Sequence, residues 1–274
     1  MHCYIINMPK CKERLERTKR EISKYCPGLT WSIPLMFLGE KMSDAYISSV
    51  YDSRGAWELY NRDLSRGEIA CALSHQSALK EFLKGNDSSC LIVEDDVLFS
   101  PIIGVFLDGL YKWLLKHKAT PICTVLSEAE AVRYWTACPW IHEFQRTRPI
   151  KIYGAIAYVV NRAGAEMILK INSWPIKVTS DYWSFYRKHG LKVFGVDKLL
   201  AGSFDFSRKD SALDSGRVEI YKKSLEKRDS IPFRHRVWLS CLARARYLWW
   251  YLSGVTIIDE RTNSRIYKIL EREK

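Results

Sequence analysis

Residues 90–93 read Cys-Leu-Ile-Val, an unbroken apolar run, and Glu94, Asp95 and Asp96 follow it directly. A run without alternation has both faces covered, which is the pattern of a strand in the middle of a sheet layered by helices. With helix-forming segments before and after it, the run places the chain in the α/β class. The acids then stand at the C-terminal end of a central strand, where open α/β sheets bind ligands. Adjacent carboxylates repel one another and lose hydration on burial, so such a cluster calls for a bound cation or a shared proton.

The rest of the chain supports that placement. Residues 4–6 form a short strand-like run stopped at Asn7, and Leu15, Ile22 and Tyr25 then recur at helical spacing until Pro27-Gly28. Residues 31–38 read as a second strand, which gives a β-α-β opening. Ser65-Arg66-Gly67-Glu68 has the form of a capping box, and Ile69, Ala72, Leu73, Leu79 and Leu83 continue it as one helical face. Beyond the acids the pattern predicts a helix over 102–118, a strand over 122–126, a strand over 153–160 turned by Asn161 into a helix, and a last strand over 191–196.

Composition narrows the company the chain keeps. At 274 residues it is long enough for one large domain with an appendage, and its net charge of +12 predicts anionic partners. The N-terminus lacks the basic lead, apolar stretch and cleavage site of a secretory signal, so a cytoplasmic location is expected. The eight cysteines have no CxxC spacing, which argues against a zinc site and for small apolar residues in a reducing compartment. From about residue 206 arginines and lysines interleave with tryptophans and leucines, and the apolar stretch at 247–258 falls short of the ~20 residues that span a bilayer. Basic residues with Trp and Tyr anchors suit a helix lying in the headgroup plane; a helix packed on the domain with a basic outer face is the alternative. The expected division is a catalytic domain over 1–205 and a basic, aromatic-rich helical region over 206–274 that associates with membrane.

Several chemistries use acids at a strand end. A response-regulator receiver needs its acid pair near the domain start and a phospho-acceptor Asp roughly fifty residues on, but several elements precede this triplet and the next Asp, Asp108, falls inside a helical pattern. A haloacid-dehalogenase phosphatase needs Asp-x-Asp followed by Thr or Val, which the triplet does not supply. A hard cation of the Mg or Mn kind, held by one or two carboxylates and bridging a diphosphate, fits better. The plain alternative has one acid capping the next helix and another pairing with a core Arg.

At this point the sequence resembles a known family. YIINMPKCKER, LSRGEIACALSHQSALKEF, LIVEDDVLFS and YGAIAYVVNRAGAEMIL with VTSDYW occur in that order, and together they are similar to glycosyltransferase family 25, the bacterial lipopolysaccharide and lipooligosaccharide galactosyltransferases. The resemblance implies a GT-A, Rossmann-like α/β fold and a UDP-sugar donor, with UDP-galactose favoured. It also implies Mn2+ or Mg2+ at the acidic triplet, with Asp96 and Glu94 as ligands and Asp95 beside the donor, and inversion at the anomeric carbon. Inversion requires a base for the acceptor hydroxyl, and Asp181 is the candidate; an Asp before two aromatics is as often a helix N-cap. By the same mapping Asn7, Lys10 and Arg14 meet uridine and diphosphate, and His75 positions phosphate or sugar.

Departures from the family pattern stand at Lys10, which keeps the charge of an Arg without its fork, at Leu38, where an acid is usual before Gly39, and at Ala157, where Gly is usual and a methyl is expected to narrow the sugar site. The expected acceptor is a lipid-linked oligosaccharide at the anionic inner face of a bacterial inner membrane. A UDP-glucose-dependent transferase is the alternative in the same class. A non-enzymatic nucleic-acid binder is the alternative outside it, disfavoured because strand-end carboxylates repel phosphates.

Overall fold

The computed structural model describes residues 1–127, 131–132, 137–152, 154–204, 220 and 256–257. β1 (His2–Ile6) leads into α1 (Lys12–Tyr25) and β2 (Thr30–Ser32); a 3-10 turn at Gly39–Lys41 precedes α2 (Asp44–Val50), α3 (Ser53–Tyr60) and the long α4 (Arg66–Lys84). β3 (Ser89–Glu94) and β4 (Val97–Phe99) flank the acids. α5 (Ile103–Leu115), β5 (Ile122–Val125), β6 (Ala131–Val132), β7 (Cys138–Ile141), β8 (Phe144–Thr147) and β9 (Pro149–Lys151) follow. β10 (Ala157–Asn161), α6 (Arg162–Ile171), α7 (Trp183–Lys188), β11 (Lys192–Val196), β12 (Ala201–Ser203) and β13 (Thr256–Ile257) complete the described elements.

The main sheet has the order β2-β1-β3-β10-β5-β11-β8-β7. β2, β1 and β3 are parallel, β10 runs antiparallel between β3 and β5, and β11 is parallel to β5. This is the expected Rossmann-like α/β layering, and its parallel half carries the acids. β3 is buried from Ser89 to Val93 and emerges only at Glu94. Its side chains alternate between two cores. Cys90 and Ile92 pack with Leu79, Phe82 and Tyr158 on one face, and Leu91 and Val93 pack with Ile5, Ile22 and Phe106 on the other. Truncating a side chain as enclosed as Ile92 to Ala costs about 2–5 kcal/mol.

α4 is the second fixed point. The capping box read from sequence is present: Ser65 accepts from the Glu68 N–H, and Glu68 accepts from the Ser65 N–H at 2.9 Å. Arg62 adds a two-pronged pair to Glu68, with both N···O distances 2.8 Å. Behind this anchored end the helix is buried almost all round from Glu68 to Leu79, between the sheet and a small lobe built on Met42, Val50, Ala56, Leu64 and Ile176.

Three expectations change. The strand read over 31–38 is confined to Thr30–Ser32; Pro34, which has no N–H to give a ladder, follows it, and Leu35 is 69% exposed. The strand read over 153–160 begins at Ala157; Gly154 has φ +87°, a turn conformation that removes it from the ladder, and Tyr153 lies outside the described residues. α2, α3 and the β7–β8 hairpin were not foreseen. Both helices are short and rest on caps from Ser43 and Asp52 rather than on a long apolar stripe.

The basic, aromatic region over 206–274 lies outside the described residues apart from Ile220 and β13. β13 is a strand rather than part of a helix, and it pairs antiparallel with β6. Among the described residues no helix is long and apolar enough to cross a membrane.

Candidate functional site

β1 and β3 are parallel neighbours with Ile6 opposite Glu94, so the chain leaves both strands at the same edge of the sheet. Asn7 and the start of α1 therefore arrive beside the acidic triplet, and the three acids receive different surroundings.

Asp95 is buried, at 5% exposure. Asn7 Nδ2 donates to its Oδ2 at 2.7 Å, and Arg14 Nη2 lies 2.7 Å from its Oδ1. Its backbone is held as well, the N–H by Ile6 O at 3.1 Å and the carbonyl by Thr18 Oγ1 at 2.9 Å. Burial, with the charge of Glu94, raises its carboxyl above the usual carboxylate range, against the opposing pull of Arg14 and Asn7. Asp95 is thus the acid that pairs with the partly buried Arg14, and it latches β1, α1 and β3 together.

Asn7 and Arg14, read as meeting uridine and diphosphate, stand at this latch. Asn7 is buried, and its amide also donates to the Cys11 carbonyl at 3.1 Å. Arg14 bridges Asp95 and, at 3.3 Å, Asp96. Lys10 is exposed and lies 3.4 Å from Glu40, so the acid after Gly39 rather than before it meets the basic start of α1. Gly39 itself is pressed against α4: a Cβ there would come within 2.7 Å of the Arg66 carbonyl group.

Asp96 differs. Its side chain is 13% exposed, its Oδ2 accepts from Ser203 Oγ at 2.7 Å, and its Oδ1 is buried with no hydrogen-bond partner among the described residues. Burial first, then the charge of Glu94, raise its pKa to about 6, against the opposing pull of Ser203 and Arg14. Glu94 is the most open of the acids, with 30% of its side chain exposed. A buried carboxylate oxygen lacking a partner, next to a partly exposed carboxylate, fits an oxygen-ligated divalent cation. Glu94 and Asp96 are the candidates that could hold it.

His75 lies on the α4 face that meets β3. It is 2% exposed, its Nδ1 is 3.1 Å from the Tyr158 hydroxyl, and its Nε2 points at Glu94 Oε1 from 3.4 Å. It lines the wall of the acidic site beside Glu94. One turn earlier on the same helix, Cys71 joins His75 and Glu94 in a group whose donor atoms lie within 4.8 Å of one another. Cys3, Cys26, Cys90 and Cys123 are buried apolar residues as expected; Cys71 departs from that reading because the fold, not the spacing of cysteines, supplies its neighbours.

Asp181 is linked to this wall through aromatic residues. Tyr158 packs edge-on against Trp183, with ring centroids 5.0 Å apart, and Trp183 Nε1 donates to Gly154 O at 2.9 Å. The Gly154 N–H in turn donates to Asp181 Oδ2 at 3.3 Å. The loop carrying Gly154 reaches the acids two residues later, where the Glu94 N–H donates to Ile156 O at 2.8 Å. Asp181 does not cap α7, whose N-cap is Tyr182 with no side-chain cap. It is half-buried at the mouth of this loop. Ala157 is the other departure: its methyl is fully buried opposite Val93 and packs in the core rather than narrowing a sugar site.

Ser203 and Thr18 were not foreseen. Ser203 reaches Asp96 because β12 pairs with β4 across roughly a hundred residues of chain, with Ser203 opposite Val97, and no local pattern signals that pairing. Thr18 sits one turn after Arg14 on α1, so the helical spacing held the signal.

Comparison with known proteins follows the same residues. The sequence model of glycosyltransferase family 25, described as LPS biosynthesis protein, matches residues 1–183. The human protein procollagen galactosyltransferase 2 is 24% identical over 234 residues, covering 72% of this chain; the chain spans about a third (34%) of that relative's length. Among solved structures, a glycosyltransferase involved in the glycosylation of the major capsid of PBCV-1 aligns with a TM-score of 0.31 and 15% identity, covering 71% of this chain and 80% of that one.

Proposed function

The chain belongs to glycosyltransferase family 25, and from that premise we propose that it transfers a hexose from a UDP-sugar, galactose first among them, to a lipid-linked oligosaccharide of the lipopolysaccharide type, with inversion. The observation that carries this reading is the difference among the acids. Asp95 is paired on both oxygens, whereas Asp96 keeps a buried oxygen without a partner among the described residues, beside the partly exposed Glu94. Galactose is favoured because the human relative is by name a galactosyltransferase, and a lipopolysaccharide acceptor because of the family's description.

Glu94 and Asp96 would hold Mn2+ or Mg2+, which when bound supplies Lewis-acid stabilisation of the leaving diphosphate. Asp95, Asn7 and Arg14 fix the strand ends so that both ligands keep their direction. His75, held by Tyr158, lines the site beside the Glu94 carboxylate. Asp181 takes the proton of the acceptor hydroxyl as that oxygen attacks, and the Gly154 N–H steadies its carboxylate. Lys10, exposed at the start of α1, is the cation free to swing toward diphosphate, its contact with Glu40 being an exposed pair worth at most about 1 kcal/mol.

The net charge of +12 and the arginine- and tryptophan-rich sequence beyond residue 206 support a peripheral position on an anionic membrane, the inner face of a bacterial inner membrane, where lipid-linked acceptors are built. Incubation with single UDP-sugars and Mn2+ tests the reading. Slow UDP release, greatest with UDP-galactose and abolished by EDTA, is expected. Release greatest with UDP-glucose would move the assignment to a glucosyltransferase, and no release from any UDP-sugar would overturn it.

A further inference from the structure

We propose that Cys71, His75 and Glu94 form a site for a thiophilic cation of the zinc class, and that an ion there removes Glu94 from the oxygen-ligated cation site. The first part stands on geometry alone; the inhibitory consequence rests on the function proposed above.

Cys71 and His75 are four residues apart on α4 and share the face turned to the end of β3. Their donor atoms and a Glu94 oxygen lie within 4.8 Å of one another. Tetrahedral zinc holds sulfur at about 2.3 Å and nitrogen or oxygen at about 2.0–2.2 Å, so its donors stand roughly 3.3–3.8 Å apart. The group is thus within about 1.5 Å of that spacing.

His75 supplies an independent sign. The residue is 2% exposed, yet its Nε2 has no hydrogen-bond partner among the described residues, and Glu94 at 3.4 Å is beyond a good N–H···O contact. Its other nitrogen is engaged by the Tyr158 hydroxyl. When Nδ1–H donates to that oxygen, the Nε2 lone pair faces Cys71 and Glu94. Metal-binding histidines are commonly held in this way, one nitrogen fixed by a neighbour and the other on the ion. Cys71 and Glu94 are both partly exposed, which gives an ion a route in from solvent.

Ligand chemistry selects the ion. A thiolate and an imidazole favour zinc or cobalt over magnesium or manganese, whereas the all-oxygen pair of Glu94 and Asp96 favours the harder ions. Binding releases the Cys71 thiol proton to solvent as the Zn–S bond forms, with no change of oxidation state. Glu94 belongs to both sets, so occupation of one excludes full ligation in the other.

Cobalt titration of the full-length chain tests the site. One Co2+ per chain is expected, with a near-ultraviolet thiolate-to-cobalt band and tetrahedral visible bands, all displaced by zinc. Cys71→Ser is expected to lose the thiolate band and to weaken zinc binding by more than the roughly 10- to 100-fold that follows loss of a group merely orienting a ligand; Asp96→Asn is expected to keep the band. Absence of the band in the unmodified chain, or its survival in Cys71→Ser, overturns the site. For the consequence, zinc should suppress Mn2+-dependent UDP release by the unmodified chain, and Cys71→Ser should release UDP normally while resisting zinc. Equal inhibition of both proteins overturns the competition. Absence of release from any donor overturns the competition together with the function proposed, and the cobalt spectrum still decides the site.

Discussion

The side-chain amide of Asn7 donates to the Asp95 carboxylate at 2.7 Å, joining residues 88 apart in the chain at the point where β1 and β3 end side by side. Arg14 closes the same carboxylate from α1. One acid of the triplet is thereby paired inside the protein, and the proposed function assigns the chemistry to the other two.

That latch has a measurable strength. Removing one partner of a buried pair leaves a charge without compensation and costs about 3–5 kcal/mol. Arg14→Met is expected to lower stability by about that amount in urea unfolding. Asp95→Asn together with Arg14→Met should lose less than the sum of the single changes, because each single variant strands what the other removes. Additive losses would show that the two side chains are not coupled.

Asp96 predicts a pH dependence whose sign follows from its burial. Its pKa in the folded chain is about 6, against an ordinary 3.8. The folded state therefore binds the proton more tightly than the unfolded state, and the carboxylate's contribution to stability falls as pH rises from about 4 to about 6, by roughly 3 kcal/mol, then levels off. Asp96→Asn should flatten that slope, raise cation-free stability near neutral pH and still abolish transfer. Mn2+ should restore stability to the unmodified chain above about pH 6 and leave the variant unmoved. Urea midpoints across that range, with and without Mn2+, make the comparison.

Asp181 should behave as a base rather than as a cap. Asp181→Asn is expected to lower turnover by about 10²- to 10⁴-fold while donor affinity stays within a few-fold. Single-turnover transfer alongside donor binding separates the two effects. Retention of most turnover with donor still bound would end the assignment.

Membrane association should be electrostatic in its first step. The chain is expected to sediment with vesicles containing phosphatidylglycerol, to ignore neutral vesicles, and to release as salt shortens the Debye length from about 10 Å toward 3 Å. Equal recovery on neutral vesicles would point to another mode of attachment.

What the sequence made legible was what short range controls. The β3 run announced a covered strand because each of its residues is apolar, and Ser65 and Glu68 announced the start of α4 because a capping box is complete within four positions. The acids were placed correctly at a strand end for the same reason. Their division of labour was not legible, since it depends on Asn7 and Arg14 arriving from β1 and α1 and on Ser203 arriving from β12. Asp95 and Asp96 are adjacent in sequence, yet one meets two short donor contacts and the other keeps a bare oxygen. Cys71 shows the same limit, because its partner Glu94 comes from a different element.

The central claim, that Glu94 and Asp96 hold a divalent cation which in turn holds a nucleotide diphosphate, is tested most directly by calorimetric titration of UDP in the presence and absence of Mn2+. UDP is expected to bind the unmodified chain with Mn2+, to lose most of its affinity with EDTA, and to lose it in Asp96→Asn even with Mn2+ present. UDP binding of equal strength with and without the cation, unaltered by Asp96→Asn, would contradict the account.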